Sequence, residues 1–81
     1  MNDIKDTVKA YILKEFLQGE DQENLKETTP LITGGILDSI ATLKLVMFLE
    51  ERFAIAVQAH EVDVENLNTI SDITRLVRSK L

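Results

Sequence analysis

The 81-residue chain is 44% hydrophobic and has no cysteine, which bounds it to one small core and excludes a disulfide staple, a thiolate nucleophile and a zinc–thiolate site. Fourteen acidic residues against nine basic ones give a formal net charge of −5, which argues against nucleic acid as a partner and favours proteins with basic patches. The charged start Met1-Asn2-Asp3-Ile4-Lys5-Asp6 lacks the apolar run of a secretion signal, and no apolar stretch approaches the roughly 18 residues that cross a bilayer, so a soluble cytosolic protein of one domain, 1–81, is expected.

The first predicted element is a helix over 3–17. Ile4, Val8, Tyr11, Ile12 and Phe16 fall on one stripe at helical spacing, with Lys5, Lys9, Lys14 and Glu15 mostly off it. Gly19 supplies a stop. Residues 18–38 carry no sustained periodicity, and a connection of that length is often functional. Leu25, Leu31 and Ile32 are expected to pin it across the helices, with a short helical turn around 22–26. Pro30 pushes Thr29 toward an extended conformation.

A second helix is predicted from Ser39 to Phe53. Asp38 is a good N-cap, because its carboxylate can accept from a backbone N–H that the helix leaves unpaired. Gly34 and Gly35 allow a tight approach before it. Ala54 stands where a helix-ending glycine would be comfortable. A left-handed Ala54 carries strain of about 1–2 kcal/mol, with no compensating feature visible in the sequence. Residues 55–68 are predicted irregular, with one short helix near Glu61–Glu65. The last helix starts near Thr69, with Asp72 in a capping-box position. Ile70, Ile73, Leu76 and Val77 form its buried stripe, and Arg75, Arg78 and Lys80 complement the dipole at its C-terminus. These elements make an all-α bundle of three main helices plus a short one.

The second helix has more apolar residues than one core stripe needs. Leu45, Val46, Leu49 and Phe53 cluster on one side with Thr42. Ile40, Leu43 and Met47 cluster on another, beside Lys44 and Glu51, and Phe48 points in a third direction. A helix apolar nearly all round is either deeply buried or gives one face to a partner. So Ile40, Leu43 and Met47 either form an exposed contact patch starting at Ser39 or pack under the 18–38 loop. If Phe53 lies in the core, Phe53→Ala should cost about 3–5 kcal/mol.

Ser39 beside Asp38 is by itself an ordinary helix start. The only histidine, His60, is expected in a loop after the second helix, and one histidine without cysteine makes a Ser-His-Asp or metal site a poor reading. The wider frame is more specific. Leu31-Ile32-Thr33-Gly34-Gly35-Ile36-Leu37-Asp38-Ser39-Ile40 leads into a helix ending Leu49-Glu50-Glu51-Arg52-Phe53. This resembles the acyl carrier protein family, including peptidyl and aminoacyl carriers, over essentially the whole chain. Asp-Ser-Ile stands where that family has Asp-Ser-Leu or a close variant, and Gly-Ile-Leu is a form common among stand-alone carriers.

The resemblance implies a four-helix bundle with a long loop between the first two main helices. It implies a non-enzymatic carrier with 4′-phosphopantetheine, transferred from coenzyme A, on Ser39. It also implies that Asp38 assists the phosphopantetheinyl transferase and its magnesium. The thiol of the arm would hold acyl or aminoacyl groups as thioesters for lipid or secondary-metabolite biosynthesis. The second helix would meet partner enzymes through Ile40, Leu43, Lys44, Met47, Glu50 and Glu51. Those partners would be an acyl- or aminoacyl-activating ligase and downstream acyl-transfer or condensing enzymes, served by a monomeric shuttle. Where fatty-acid carriers have acidic residues early in that helix, this chain has Ala41 and Lys44, which points to a dedicated partner set. The competing reading is a small helical adaptor without a prosthetic group, with Ser39 a cap or a phosphorylation site.

Overall fold

A computed structural model describes residues 3–16 and 25–81 of the chain. Four α-helices are present among them: α1 (Asp3–Phe16), α2 (Ser39–Phe53), α3 (Val64–Leu67) and α4 (Ile70–Lys80), with a single 3₁₀ turn at Ala59–Glu61. The described residues contain helices and no strands, as the helical periodicities predict. Gly19, residue 17 and most of the predicted turn at 22–26 lie outside the described residues, and Leu25 and Lys26 are not helical.

The core is built from one stripe of each long helix. Val8 and Ile12 of α1, Leu45 and Leu49 of α2, and Ile73 and Val77 of α4 are fully buried, and Leu67 of α3 joins them. Burying an aliphatic side chain of this kind contributes about 1.5–3 kcal/mol. α4 packs against both α1 and α3, while α2 leans on α1. An aromatic seam reinforces the α1–α2 contact. Phe48, the residue that pointed away from both apolar faces, stacks on Tyr11 with centroids 4.0 Å apart and planes 12° from parallel. The Tyr11 hydroxyl donates to the Lys44 carbonyl at 3.3 Å. Burial and then the nearby Glu15 charge raise its pKa.

The described part of the loop before α2 is nailed down rather than draped. Leu25, Leu31 and Leu37 are buried and Ile32 packs beside them. The Leu31 carbonyl accepts from the Ile36 and Leu37 N–H groups at 2.9 and 2.8 Å, which folds 31–37 into a tight loop. That loop needs both glycines: Gly35 sits at φ +84, and a Cβ on Gly34 would run into the Pro30 carbonyl oxygen. Asn68, between α3 and α4, clamps it from outside, its Oδ1 accepting from the N–H groups of Ile32 (2.9 Å) and Thr33 (3.0 Å).

Three details differ from the sequence reading. The short helix expected at Glu61–Glu65 is two separate turns, because two caps compete for the segment. Gln58 and Glu61 form a reciprocal capping box around the 3₁₀ turn, and Asp63 accepts from the Asn66 N–H at 3.0 Å to start α3. His60 therefore lies in the 3₁₀ turn, exposed. Phe53 is half-buried at the core's edge, with the Arg52 guanidinium 5.4 Å from its ring centre. Phe53→Ala consequently costs less than the range for a fully buried aromatic. At α4, Thr69 Oγ1 accepts from the Asp72 N–H at 3.0 Å, while the Asp72 carboxylate pairs with Arg75 at 3.4 Å.

Ala54 does cap α2 in the left-handed conformation, at φ 55 and ψ 47. Compensation comes from Glu50. Its carbonyl accepts from the Ala54 and Ile55 N–H groups, and its Oε2 accepts from the Val57 N–H at 2.9 Å. Ile55 and Val57 then pack on the core. Ala54→Gly relieves the steric cost but loosens the unfolded chain, so it should stabilise by about 0.5–1 kcal/mol in denaturant unfolding.

The 59–67 segment is tied to α4 by Lys80, whose Nζ lies 2.7 Å from Glu61 Oε1. The Lys80 hydrogen bond, then the Gln58 N–H, hold the Glu61 carboxyl below its ordinary pKa. A depressed carboxyl pKa stabilises the folded state above the unfolded value, and that contribution disappears as pH falls through the folded value. Amide exchange at 59–67 should therefore accelerate, relative to α1 and α4, on acidification below the ordinary carboxyl range, and Glu61→Gln should abolish that pH dependence.

Candidate functional site

Ser39 is the first residue of α2 and is exposed. Its position follows from what precedes it. Leu37 is only 2% exposed and plants the chain in the core. Asp38 then turns the backbone at φ −87, ψ −172 and caps the helix, its Oδ1 accepting from the Ala41 N–H at 2.7 Å. The Asp38 carbonyl accepts from the Thr42 N–H at 2.8 Å and the Thr42 hydroxyl at 2.7 Å. This carboxylate and carbonyl fix the start of the helix, so the Ser39 side chain emerges at its mouth. The first turn of α2 contains no acidic side chain, so the Asp38 cap supplies the carboxylate at the positive end of the helix dipole.

Of the two readings of the surplus apolar face, exposure holds. Ile40, Leu43 and Met47 are 66%, 57% and 61% exposed, and Val64 of α3 is 44% exposed. Lys44 and Glu51 are exposed beside them. Glu50 differs: it is half-buried and one of its oxygens is committed to the Val57 N–H. The structure thus brings Ser39, Ile40, Leu43, Lys44, Met47 and Glu51 onto one outward surface, and gives Glu50 a structural duty at the far end.

Beside Ser39 lies an open groove of about 610 Å³. Leu37, Thr42 and Leu43 form one wall and Val62, Asp63 and Val64 the other, with Asp38 and Ser39 on its edge. The second wall is absent from the sequence reading. Val62 and Val64 flank the Asp63 cap, and that short alternation is its only trace in the sequence. Among the described residues no group of three or more His, Asp or Glu side chains is placed to hold a metal ion, and no helix is long and apolar enough to cross a membrane.

The described residues thus form a small helical bundle with one exposed hydroxyl at a helix mouth, next to an apolar groove and an exposed apolar helix face. No family model matches the chain. Curated proteins do match it. It is 32% identical over 77 residues to an acyl carrier protein of Chlamydia muridarum, covering 95% of each chain. It is 35% identical over 71 residues to a D-alanyl carrier protein of Streptococcus suis, covering 88% of this chain and 86% of the relative. It is 33% identical over 69 residues to an acyl carrier protein of Desulforapulum autotrophicum, covering 85% and 87% respectively. The chain belongs to the acyl carrier protein family, and it acts as a carrier and not as an enzyme.

The two sides of the site separate in a stability measurement. Asp38→Ala removes the cap and should cost about 0.5–2 kcal/mol. Met47→Glu alters only an exposed side chain and should leave unfolding within about 0.5 kcal/mol of the parent. A large loss with Met47→Glu would mean the residue belongs to the core.

Proposed function

We propose that residues 1–81 act as one carrier domain that bears 4′-phosphopantetheine on Ser39 and delivers acyl or aminoacyl groups held on it as thioesters. The observation that carries this reading is the exposed Ser39 side chain at the capped start of α2. A phosphodiester there meets the positive end of the helix dipole beside the Asp38 cap, an interaction worth about 0.3–1 kcal/mol at an exposed site. The residues fit the group in a second respect, since the apolar groove opens directly beside the attachment point. When bound, the arm supplies the thiol that this cysteine-free chain lacks. Ser39 anchors it, the Asp38 cap holds Ser39 in place, and the exposed Asp38 carboxylate is available to the phosphopantetheinyl transferase.

Ile40, Leu43 and Met47 form the apolar centre of the partner surface, with Lys44 and Glu51 on its rim. Glu50 contributes chiefly by fixing the C-terminal end of α2. The partners are an acyl- or aminoacyl-activating ligase and downstream acyl-transfer or condensing enzymes, visited by a monomeric carrier in the cytoplasm. The D-alanyl carrier relative supports aminoacyl groups as cargo alongside acyl groups. Lys44, on the rim of the docking face beside Leu43 and Met47, supports a dedicated partner set rather than the general fatty-acid elongation enzymes.

Intact mass after incubation with coenzyme A and a broad-specificity phosphopantetheinyl transferase tests the reading. The parent should gain the mass of one phosphopantetheine and Ser39→Ala should gain none. An unchanged parent mass would contradict the reading and leave the apolar face of α2 as the docking patch of an adaptor.

A further inference from the structure

On a separate face, α1 and α4 enclose a groove of about 260 Å³ lined by Lys5, Ser71, Thr74, Arg75 and Arg78. Three cations on five lining residues stand out in a chain of net charge −5. Two of them have partners: Lys5 pairs with Glu27 at 2.9 Å and Arg75 with Asp72 at 3.4 Å. Among the described residues Arg78 has no carboxylate partner. The groove also contains an unmet hydroxyl. Thr74 is 3% exposed, and its buried Oγ1 has no hydrogen-bond partner. Buried polar atoms are nearly always satisfied, so a lone one lining a cationic groove marks a place for an oxygen-rich ligand.

The chain already shows the chemistry at the groove's edge. One oxygen of Glu27 accepts from Lys5 Nζ at 2.9 Å and from Ser71 Oγ at 3.4 Å. The hydrogen bond and charge of Lys5, with smaller help from Ser71 and Lys9, hold that carboxyl below its ordinary pKa. Negative oxygen is therefore stabilised at this face.

We propose that the α1–α4 groove binds a phosphate-class oxyanion through Arg78, Arg75 and Lys5, with the Thr74 hydroxyl donating to one of its oxygens. Arginine suits the task, because its planar fork matches phosphate oxygens in pairs. The ligand is either a free phosphate ester or the headgroup of an anionic phospholipid, since both present the same oxygens.

Amide chemical shifts followed during titration with inorganic phosphate, at low ionic strength, test the site without any loaded arm, so the result is independent of Ser39. Saturable shifts should centre on Ser71, Thr74, Arg75 and Arg78. Arg78→Gln should weaken binding about tenfold, the loss of one charge-assisted hydrogen bond. Thr74→Val, nearly isosteric, should weaken it as well while the remaining amide pattern stays folded. Arg52→Gln, which lies in the separate groove between α1 and α2, should change nothing. Sedimentation with phosphatidylcholine vesicles, with and without phosphatidylglycerol, separates the two sources. Phosphate-competed binding to the anionic vesicles identifies a headgroup, and phosphate binding without vesicle binding identifies a free ester. Non-saturating shifts spread over all lysines and arginines, or affinity unchanged in both Arg78→Gln and Thr74→Val, would mean an adventitious ion only and would overturn the proposal.

Discussion

The structure turns on a crossing made in three residues. Leu37 is sealed in the core, Asp38 caps, and Ser39 faces water. Everything that makes the site usable depends on that crossing being fixed in place. Leu37 sets the depth at which the chain leaves the core. The 31–37 loop sets its direction, through the left-handed Gly35 and the Asn68 clamp. The Asp38 carboxylate then fixes the residue at which helix begins, so the hydroxyl two bonds from the backbone has no freedom to sink inward.

The same constraint orders the rest of α2. Once the first residue is fixed, 100° per residue determines that Leu45, Val46 and Leu49 turn inward and that Ile40, Leu43 and Met47 turn outward. The outward apolar face continues from Ser39 along the helix. At the far end Glu50 closes the helix against Ile55 and Val57, and the left-handed Ala54 is held there by those bonds. Charge is segregated in step with this. The exposed face of α2 has Lys44 on an apolar ground, while the α1–α4 face gathers Lys5, Arg75 and Arg78.

Much of this was legible in the residues themselves. Asp38 after two glycines and Ala54 after Phe53 mark both ends of α2, because caps and breakers are local chemistry. The stripes of α1 and α4 are equally local. What the sequence hid was tertiary. Phe53 lies on the core stripe of α2, but at the helix's last residue there is too little structure above it to bury the ring. The 59–67 segment is too short for periodicity to speak, so its two caps, at Gln58 and Asp63, had to be seen as hydrogen bonds. The far wall of the groove exists only because α4 holds Val62 and Val64 opposite Leu43, through Leu67 in the core and Lys80 on Glu61. Thr74 reads as an ordinary helix residue until its hydroxyl is found buried without a partner.

The most direct measurement is peptide mapping by tandem mass spectrometry of the protein isolated from its own cells. A phosphopantetheine group localised to the Ser39-containing peptide, on that side chain and on no other serine or threonine, is the predicted result. A protein recovered with Ser39 unmodified, or with the arm on a different residue, would contradict it.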